Sequence, residues 1–267
     1  MIWGLTPLEG GGFSSPGVGD FDTPSIFPDV PWLSWVDKPM IQAVLSVILI
    51  LVFWLAMSRK RALVPSKGQF VGETAYGLIR NSIARDTIGS HDFRPFVPFL
   101  IALFSFVLVN NLWGIFPLSL LPTASHVGWA YGLAIMVWVL YNVLGIKRHG
   151  FGGYLRRTVL PPGVPVWMWP LIIPIEFVSN ILVRPLTLSL RLFANMFAGH
   201  LLVLVFVTGG EYLLLHSDPV FNKIAGGTSL LFSLAIFALE TFVQCLQAYI
   251  FTILTAVYIS SALAEEH

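Results

Sequence analysis

Five long apolar runs constrain what this chain can fold into more than any other feature of its sequence. They cover residues 40–57, 96–116, 127–146, 169–207 and 224–263, and each is bounded by proline, glycine or charged residues. The first run, residues 40–57, contains no charged residue. Its length is about the minimum of roughly 18 residues that a helix needs to cross a hydrocarbon core roughly 30 Å thick. The runs therefore predict an all-α integral membrane fold with about five membrane-embedded helices.

Composition excludes several other classes of protein. The chain has 56% hydrophobic and 11% charged residues, whereas an ordinary soluble domain has about 25% charged residues. The formal net charge of +1 provides no basic surface for nucleic acid. Cys245 is the single cysteine, so an internal disulfide is impossible, and no cofactor or metal ion is expected.

The segments outside the apolar runs are predicted to lie outside the membrane. Residues 1–39 are rich in glycine, proline and acidic residues and predict an irregular N-terminal arm, followed by a single membrane domain over residues 40–267. The arm lacks a basic segment followed by an apolar one, so we predict no cleavable signal peptide.

Between the first two runs, an apolar residue recurs every four positions and predicts one amphipathic surface helix: Val71, Ala75, Ile79 and Ile83. The glycine pair at positions 152 and 153 favours a loop, since no phosphate-binding Lys-Ser/Thr follows it.

The distribution of positive charge predicts the orientation. Five spans place the two termini on opposite sides of the membrane. Eleven of the 15 Lys and Arg residues follow the first or the third run: Arg59, Lys60, Arg61, Lys67, Arg80, Arg85, Arg94, Lys147, Arg148, Arg156 and Arg157. By the positive-inside rule, the N-terminus is expected outside and the C-terminus inside.

The last two runs are too long for upright helices. Continuous helices over residues 169–207 and 224–263 would each extend roughly 60 Å, about twice the thickness of the hydrocarbon core. Either the helices are strongly tilted, or Pro174 and Pro185 break the fourth one into shorter pieces. A turn near Ser217 predicts that the two long helices form an antiparallel hairpin.

The same two runs contain ionisable and amide side chains, which are costly at membrane depth. They are Glu176, Arg184, Arg191, Asn195, His200, Glu240, Gln244 and Gln247. Folding the hairpin about residues 219–220 pairs Arg191 with Gln247 and His200 with Glu240. The amides of Asn195, Gln244 and Gln247 are typical of hydrogen bonds between membrane helices.

Two interpretations of these charges remain open from the residues alone. The acidic and arginine side chains can neutralise one another as structural ion pairs. Alternatively, Glu and His side chains transfer protons, while an arginine, which stays protonated, separates two proton-accessible zones and attracts a carboxylate from another subunit. A structural scaffold and a self-contained proton-coupled secondary transporter are the competing classes of function, although no internal repeat of the kind such transporters show is present.

A family resemblance favours proton transfer. The sequence RLFANMFAGH at residues 191–200, Glu240, and QAYIF at residues 247–251 resemble subunit a of the F-type ATP synthase membrane sector. NLWGIFP at residues 111–117 and AEEH at residues 264–267 resemble the bacterial versions of that subunit. The resemblance covers most of the chain from Lys38 onward.

The resemblance implies a role for each residue. Arg191 would face the carboxylates of a rotating ring of c subunits, with Asn195, Gln244 and Gln247 as supporting polar residues. His200 and Glu240 would belong to the half-channel open to the outside, and Glu176 to the inner half-channel. Arg184 matches a position that is often basic in the family. In many bacterial relatives the carboxylate lies on the fourth segment and the histidine on the fifth, so His200 and Glu240 have exchanged positions here.

The resemblance also implies the setting of the subunit. It would be a non-catalytic proton-channel component in a bacterial plasma membrane, crossing the bilayer several times. Its partners would be the c-subunit ring, b-type peripheral stalk subunits and other ATP synthase subunits, without nucleic acid.

Overall fold

The computed structural model describes residue 17 and residues 36–59, 66–115, 127–160, 165–217 and 219–264. Nearly all of these residues are helical, and no strand occurs among them. The all-α membrane fold is therefore confirmed. The predicted N-terminal arm, except for residues 17 and 36–39, lies outside the described residues.

Eight α-helices occur in the described ranges. They are α1 (Lys38–Ser58), α2 (Lys67–Gly77), α3 (Asp86–Ile88), α4 (Val97–Leu112), α5 (Val127–Val159), α6 (Trp169–Val178), α7 (Arg184–Leu215) and α8 (Val220–Leu263). Two π-helical turns join α2 to α3 and α6 to α7: Leu78–Arg85 and Ser179–Val183. Short 3-10 turns precede α4 and α6: Arg94–Phe96 and Val166–Met168.

Within these ranges, five helical segments are long and apolar enough to cross a membrane. They are Lys38–Ser58, Arg94–Leu112, Val127–Val159, Val166–Leu215 and Val220–Leu263. The third segment extends beyond the apolar run at residues 127–146 and includes basic residues in its last turn. Length and composition thus support five spans, as the apolar runs predict.

The fourth segment stays helical past both of its interior prolines. Pro174 lies inside α6, and Pro185 occupies the second position of α7. A proline ring ordinarily clashes with the carbonyl four residues earlier, which for Pro185 belongs to Ile181. Ile181 lies in the π-helical turn, whose wider geometry accommodates the ring. The segment Val166–Leu215 is therefore helical throughout, with a π-helical turn between α6 and α7, and its tilt stays a prediction.

The described residues form two compact units. The first draws on Met1–Val47, Leu108–His126 and Phe193–Gln247, and the second on Ile48–Val107, Val127–Leu192 and Ala248–His267. In the first unit, α7 and α8 pack as an antiparallel hairpin. The Ser229 hydroxyl donates to the Phe206 carbonyl at 2.8 Å, and a Cβ placed on Gly210 would lie 3.1 Å from the Gly226 carbonyl oxygen.

The second unit contains the amphipathic surface helix and a buried apolar cluster. Ser66 caps α2 by accepting a hydrogen bond from the Gln69 amide. The cluster joins this helix to α4 and to the last part of α8, and its members are Ile79, Ile83, Ala84, Phe93, Val97, Leu100 and Ala256. One correction applies to the predicted apolar face, because Val71 is exposed. Gly72 instead lies against α1, where a Cβ would be 2.9 Å from the Met57 Cβ.

Helix α5 contains a sharp kink. Gly150 has φ 72° and ψ 161°, a conformation that glycine adopts without steric cost. After the kink, the Tyr154 ring lies over Gly145, where a Cβ would overlap the ring. The predicted loop at residues 152 and 153 is wrong, since both residues are helical and Gly150 alone breaks the helix.

Candidate functional site

His200 on α7 and Glu240 on α8 form an ion pair and hydrogen bond through Nδ1 and Oε1. The Glu240 side chain is 5% exposed and that of His200 is 12% exposed. The other ring nitrogen of His200, Nε2, lies 3.1 Å from the carbonyl oxygen of Gly114. The pairing of His200 with Glu240 that the hairpin register predicts is therefore confirmed as a contact.

The partners of the imidazole limit its protonation. The Gly114 carbonyl can only accept, so Nε2 of His200 must carry a hydrogen. The contact between Nδ1 and Glu240 then needs one further proton, carried either by the imidazole or by the carboxyl group. The pair is electrically neutral in both forms, which lowers the cost of holding it in a membrane helix. Its chemical capacity is to bind and release this one proton.

Amide groups hold Glu240 in place. The Gln244 side chain, one helical turn further along α8, donates from Nε2 to Glu240 Oε1 at 3.2 Å. Asn111 Nδ2 in turn donates to the Gln244 backbone carbonyl at 3.2 Å. These bonds orient the carboxyl group toward His200.

Gly199 provides the space for Glu240. A Cβ at position 199 would lie 3.1 Å from Cγ, Cδ and Oε1 of Glu240. The carboxyl group thus crosses the face of α7 where that helix has no side chain. The RLFANMFAGH motif therefore supplies both the histidine and the opening through which Glu240 reaches it.

Asn195 and Gln247 form a second contact across the hairpin. Asn195 Nδ2 donates to Gln247 Oε1 at 2.8 Å, and Gln247 is 1% exposed. Among the described residues, the Gln247 Nε2 has no hydrogen-bond acceptor. A buried amide with an unused donor orients readily toward a further polar group. The predicted pairing of Arg191 with Gln247 stays a prediction.

Arg191 is exposed on α7, although the helix is apolar enough to cross a membrane. It precedes Asn195 by four positions, so the two side chains share one face of the helix. Within the described part of the chain, the ion pairs involve His91, Asp92, Arg148, His200 and Glu240, and none includes Arg191. Structural neutralisation of Arg191 by an acidic side chain is therefore not observed among the described residues.

A cavity of about 180 Å³ adjoins the His200 and Glu240 pair. We name it the His200 cavity. It is lined by Gly114, His200, Val203, Leu204, Val207, Thr208, Glu211, Phe237 and Glu240. The pair therefore has an opening on one side that is large enough for water, which needs about 30 Å³ per molecule.

A second cavity lies in the other unit and has a volume of about 500 Å³. We name it the Glu176 cavity. Its polar lining comes from α5, α6, the π-helical turn, α7 and α8: Tyr141, His149, Tyr154, Arg157, Thr158, Glu176, Asn180, Arg184, Tyr258 and Ser261. Asn180 donates to Glu176 Oε2 at 2.9 Å and to the Thr158 carbonyl at 2.7 Å.

Arg184 also lines the Glu176 cavity. Its guanidinium carbon lies 5.5 Å from the centroid of the Tyr258 ring, a cation–π contact. Tyr258 in turn packs against Tyr141, with ring centroids 5.5 Å apart. The described ion pairs do not include Arg184 or Glu176, although both side chains line this cavity.

Sequence reasoning missed three residues around Glu176. Asn180 lies four positions from both Glu176 and Arg184, and this polar stripe was a signal that could have identified it. Tyr141 and Tyr258 had no such signal, because aromatic side chains are common throughout apolar helices. The Tyr141 hydroxyl donates to the Asn180 carbonyl at 3.1 Å, within the π-helical turn.

Comparison with known proteins gives one family. Residues 40–260 match the family model described as ATP synthase A chain. A protein of Nocardioides sp. named ATP synthase subunit a is 50% identical, covering 97% of this chain and 96% of the relative. A relative with the same name from Pseudarthrobacter chlorophenolicus is 46% identical, and the match covers 98% of this chain and 98% of the relative. Another from Streptomyces lividans is 39% identical, covering 97% of this chain and 91% of the relative.

Proposed function

The chain belongs to the ATP synthase A chain family, and from this premise we propose that it is the proton-translocating stator subunit of an F-type ATP synthase. It is a multi-pass membrane protein and a membrane-sector component of that complex. In the proposed mechanism, two offset half-channels deliver protons to and from the carboxylates of a c-subunit ring. Proton flow is thereby coupled to rotation.

The outer half-channel runs through the His200 cavity. The observation that supports it is the contact between His200 and Glu240, which adjoins a cavity large enough for water. A proton arriving from the cavity side converts the pair to a form that can release a proton on the other side. Gln244 keeps the carboxyl group aimed at His200 throughout.

Arg191 separates the two routes. Its guanidinium stays protonated at physiological pH, so it cannot relay a proton. It is exposed, and among the described residues no acidic side chain pairs with it. A ring carboxylate that has released its proton is therefore the partner that Arg191 attracts, and Asn195 and Gln247 support its position on α7.

The inner half-channel runs through the Glu176 cavity. Glu176 accepts a hydrogen bond from Asn180 and lies in a space of about 500 Å³ with Arg184. A carboxylate beside such a volume can accept a proton from the ring and pass it to water. Arg184, stacked on Tyr258, adds a fixed positive charge to the lining of the same cavity.

Coupling to synthesis requires partners. We propose that the subunit works with a c-subunit ring and b-type peripheral stalk subunits, and that it is not catalytic by itself. Each proton that moves down a potential of 100 mV supplies about 2.3 kcal/mol. The proposed setting is the bacterial plasma membrane, with the N-terminus outside and the C-terminus cytoplasmic, on the basis of the positive-inside rule. Family membership leaves the self-contained transporter without a supporting observation.

Replacement of Arg191 tests the proposal. ATP-driven proton pumping in inverted vesicles is expected to be lost in Arg191→Ala, and also in Arg191→Lys, because an ammonium group presents its donors in a different arrangement. Arg94→Ala is the matched control, since Arg94 is also an exposed arginine but lines neither cavity. Normal pumping by Arg191→Ala in a fully assembled complex would refute the proposal.

A further inference from the structure

Glu211 is a second carboxylate in the His200 cavity, in addition to Glu240. It lies on α7, four positions before the end of the helix at Leu215, and its side chain is exposed. It lines the cavity together with His200, Thr208 and Glu240. The cavity therefore has the proton-sharing pair at one end and a carboxylate near the end of the helix.

The positions on α7 form one continuous face. His200, Leu204, Thr208 and Glu211 follow at steps of four, four and three residues, which place their side chains on the same side of an α-helix. The rise along the helix from His200 to Glu211 is about 16 Å. A volume of about 180 Å³ holds on the order of six waters, enough to cover most of that distance with hydrogen-bonded steps.

Glu211 has no structural explanation in the described part of the chain. No ion pair or hydrogen bond of its side chain occurs there. The C-terminal end of a helix is also the negative end of its dipole, where a carboxylate is disfavoured. A charged side chain that neither pairs nor stabilises its helix, in a membrane-spanning segment, is expected to have a function.

We propose that Glu211 is the proton-collecting residue of the outer half-channel, which takes protons from bulk water and passes them through the His200 cavity to the pair of His200 and Glu240. This inference rests on the proposed function. The proton leaves a Glu211 carboxyl oxygen, moves along water in the cavity and joins the pair as the pair releases its own proton, so the number of protons is conserved at each step. Glu211 returns to its ionised form and accepts the next proton.

The charged and titratable groups near this end of the hairpin belong to both helices. On α7, Tyr212 and His216 stack on each other with ring centroids 5.4 Å apart. On α8, Lys223 is exposed. At the other end of the cavity, the groups are His200 and Glu240. Among the residues that line the cavity, Glu211 is the one exposed acid.

The test uses the complete complex in liposomes, with ATP synthesis driven by an imposed pH gradient and potential. Glu211→Gln is expected to reduce the rate about three- to tenfold when the loading side is near neutral, where protons are scarce. The reduction should shrink as the loading side is acidified, because water alone then supplies enough protons. Glu211→Asp keeps a carboxylate and should retain most of the rate. Asp37→Asn removes an exposed carboxylate outside the cavity and should change nothing.

Glu240→Gln separates this inference from the proposed function. If Glu240→Gln is inactive while Glu211→Gln matches the unmodified complex at every loading pH, Glu211 is not the collecting residue and the proposed function stands. An equal, pH-independent loss in Glu211→Gln and Glu211→Asp would also overturn the inference, since it would indicate a structural role. A fully active Glu240→Gln complex would instead refute the proposed outer half-channel.

Discussion

Replacing Gly199 by alanine tests how closely Glu240 must fit against α7. The added methyl group would lie 3.1 Å from Cγ, Cδ and Oε1 of Glu240, whereas carbon atoms in contact prefer about 3.5–4.0 Å. The carboxyl group must therefore withdraw by about 0.4 Å or more. This displacement weakens its hydrogen bond with His200.

The effect on proton transfer should exceed the effect on folding. Alanine favours a helix over glycine by about 1 kcal/mol, which offsets part of the roughly 1–3 kcal/mol that crowding costs. A hydrogen bond to a charged group contributes about 1.5–3 kcal/mol. If Gly199→Ala removes about half of that free energy, proton transfer through the His200 and Glu240 pair would slow roughly fivefold.

The assay is ATP-driven proton pumping by the purified, reconstituted complex, with the amount of assembled subunit measured in parallel. Gly227→Ala is the matched control, because a Cβ at position 227 of α8 meets nothing within 4 Å. It should pump normally. Glu240→Asp shortens the side chain by one methylene group, so combining it with Gly199→Ala should restore part of the lost rate.

Unchanged pumping in Gly199→Ala would contradict the reasoning, since it would show that the His200 and Glu240 contact tolerates displacement. A loss that Glu240→Asp makes worse would contradict it as well. In that case crowding of α7 against α8, and not the position of the carboxyl group, would control the rate.

Two further predictions concern the Glu176 cavity. Tyr258→Phe keeps the aromatic face under Arg184 and should pump normally. Tyr258→Leu removes a contact of about 0.5–2 kcal/mol and should lower both the rate of proton pumping and the melting temperature of the complex. Asn180→Leu removes the donor to Glu176 and should slow pumping severalfold. Asn180→Gln can still donate and should lose less of the pumping rate. Equal rates in the two variants would contradict the role of that hydrogen bond.

The helices and the contact between His200 and Glu240 could be predicted from the sequence, because both depend on spacing along the chain. The apolar runs identified five spans, and folding the hairpin about residues 219–220 brought His200 to Glu240 without any structural information. The kink at Gly150 was not predicted, since several glycines lie close together there and only the backbone conformation distinguishes them. The π-helical turn at residues 179–183 was also missed, because residue identity does not encode a single wider turn.

The environment of Glu176 and the position of Gly199 were beyond sequence reasoning for a different reason. Tyr141, Tyr258 and Glu176 come from three separate helices, and their proximity depends on packing over long sequence distances. Gly199 has no side chain, so its importance appears only when the side chain that crosses it, Glu240, is located.

The proposed mechanism requires the His200 cavity and the Glu176 cavity to open to opposite sides of the membrane. With Cys245 replaced by serine, single cysteines would be introduced by Val207→Cys in the His200 cavity and Ser261→Cys in the Glu176 cavity. A small, membrane-impermeant thiol reagent should modify position 207 only in right-side-out vesicles and position 261 only in inverted vesicles. Modification of both positions from the same side would contradict the account.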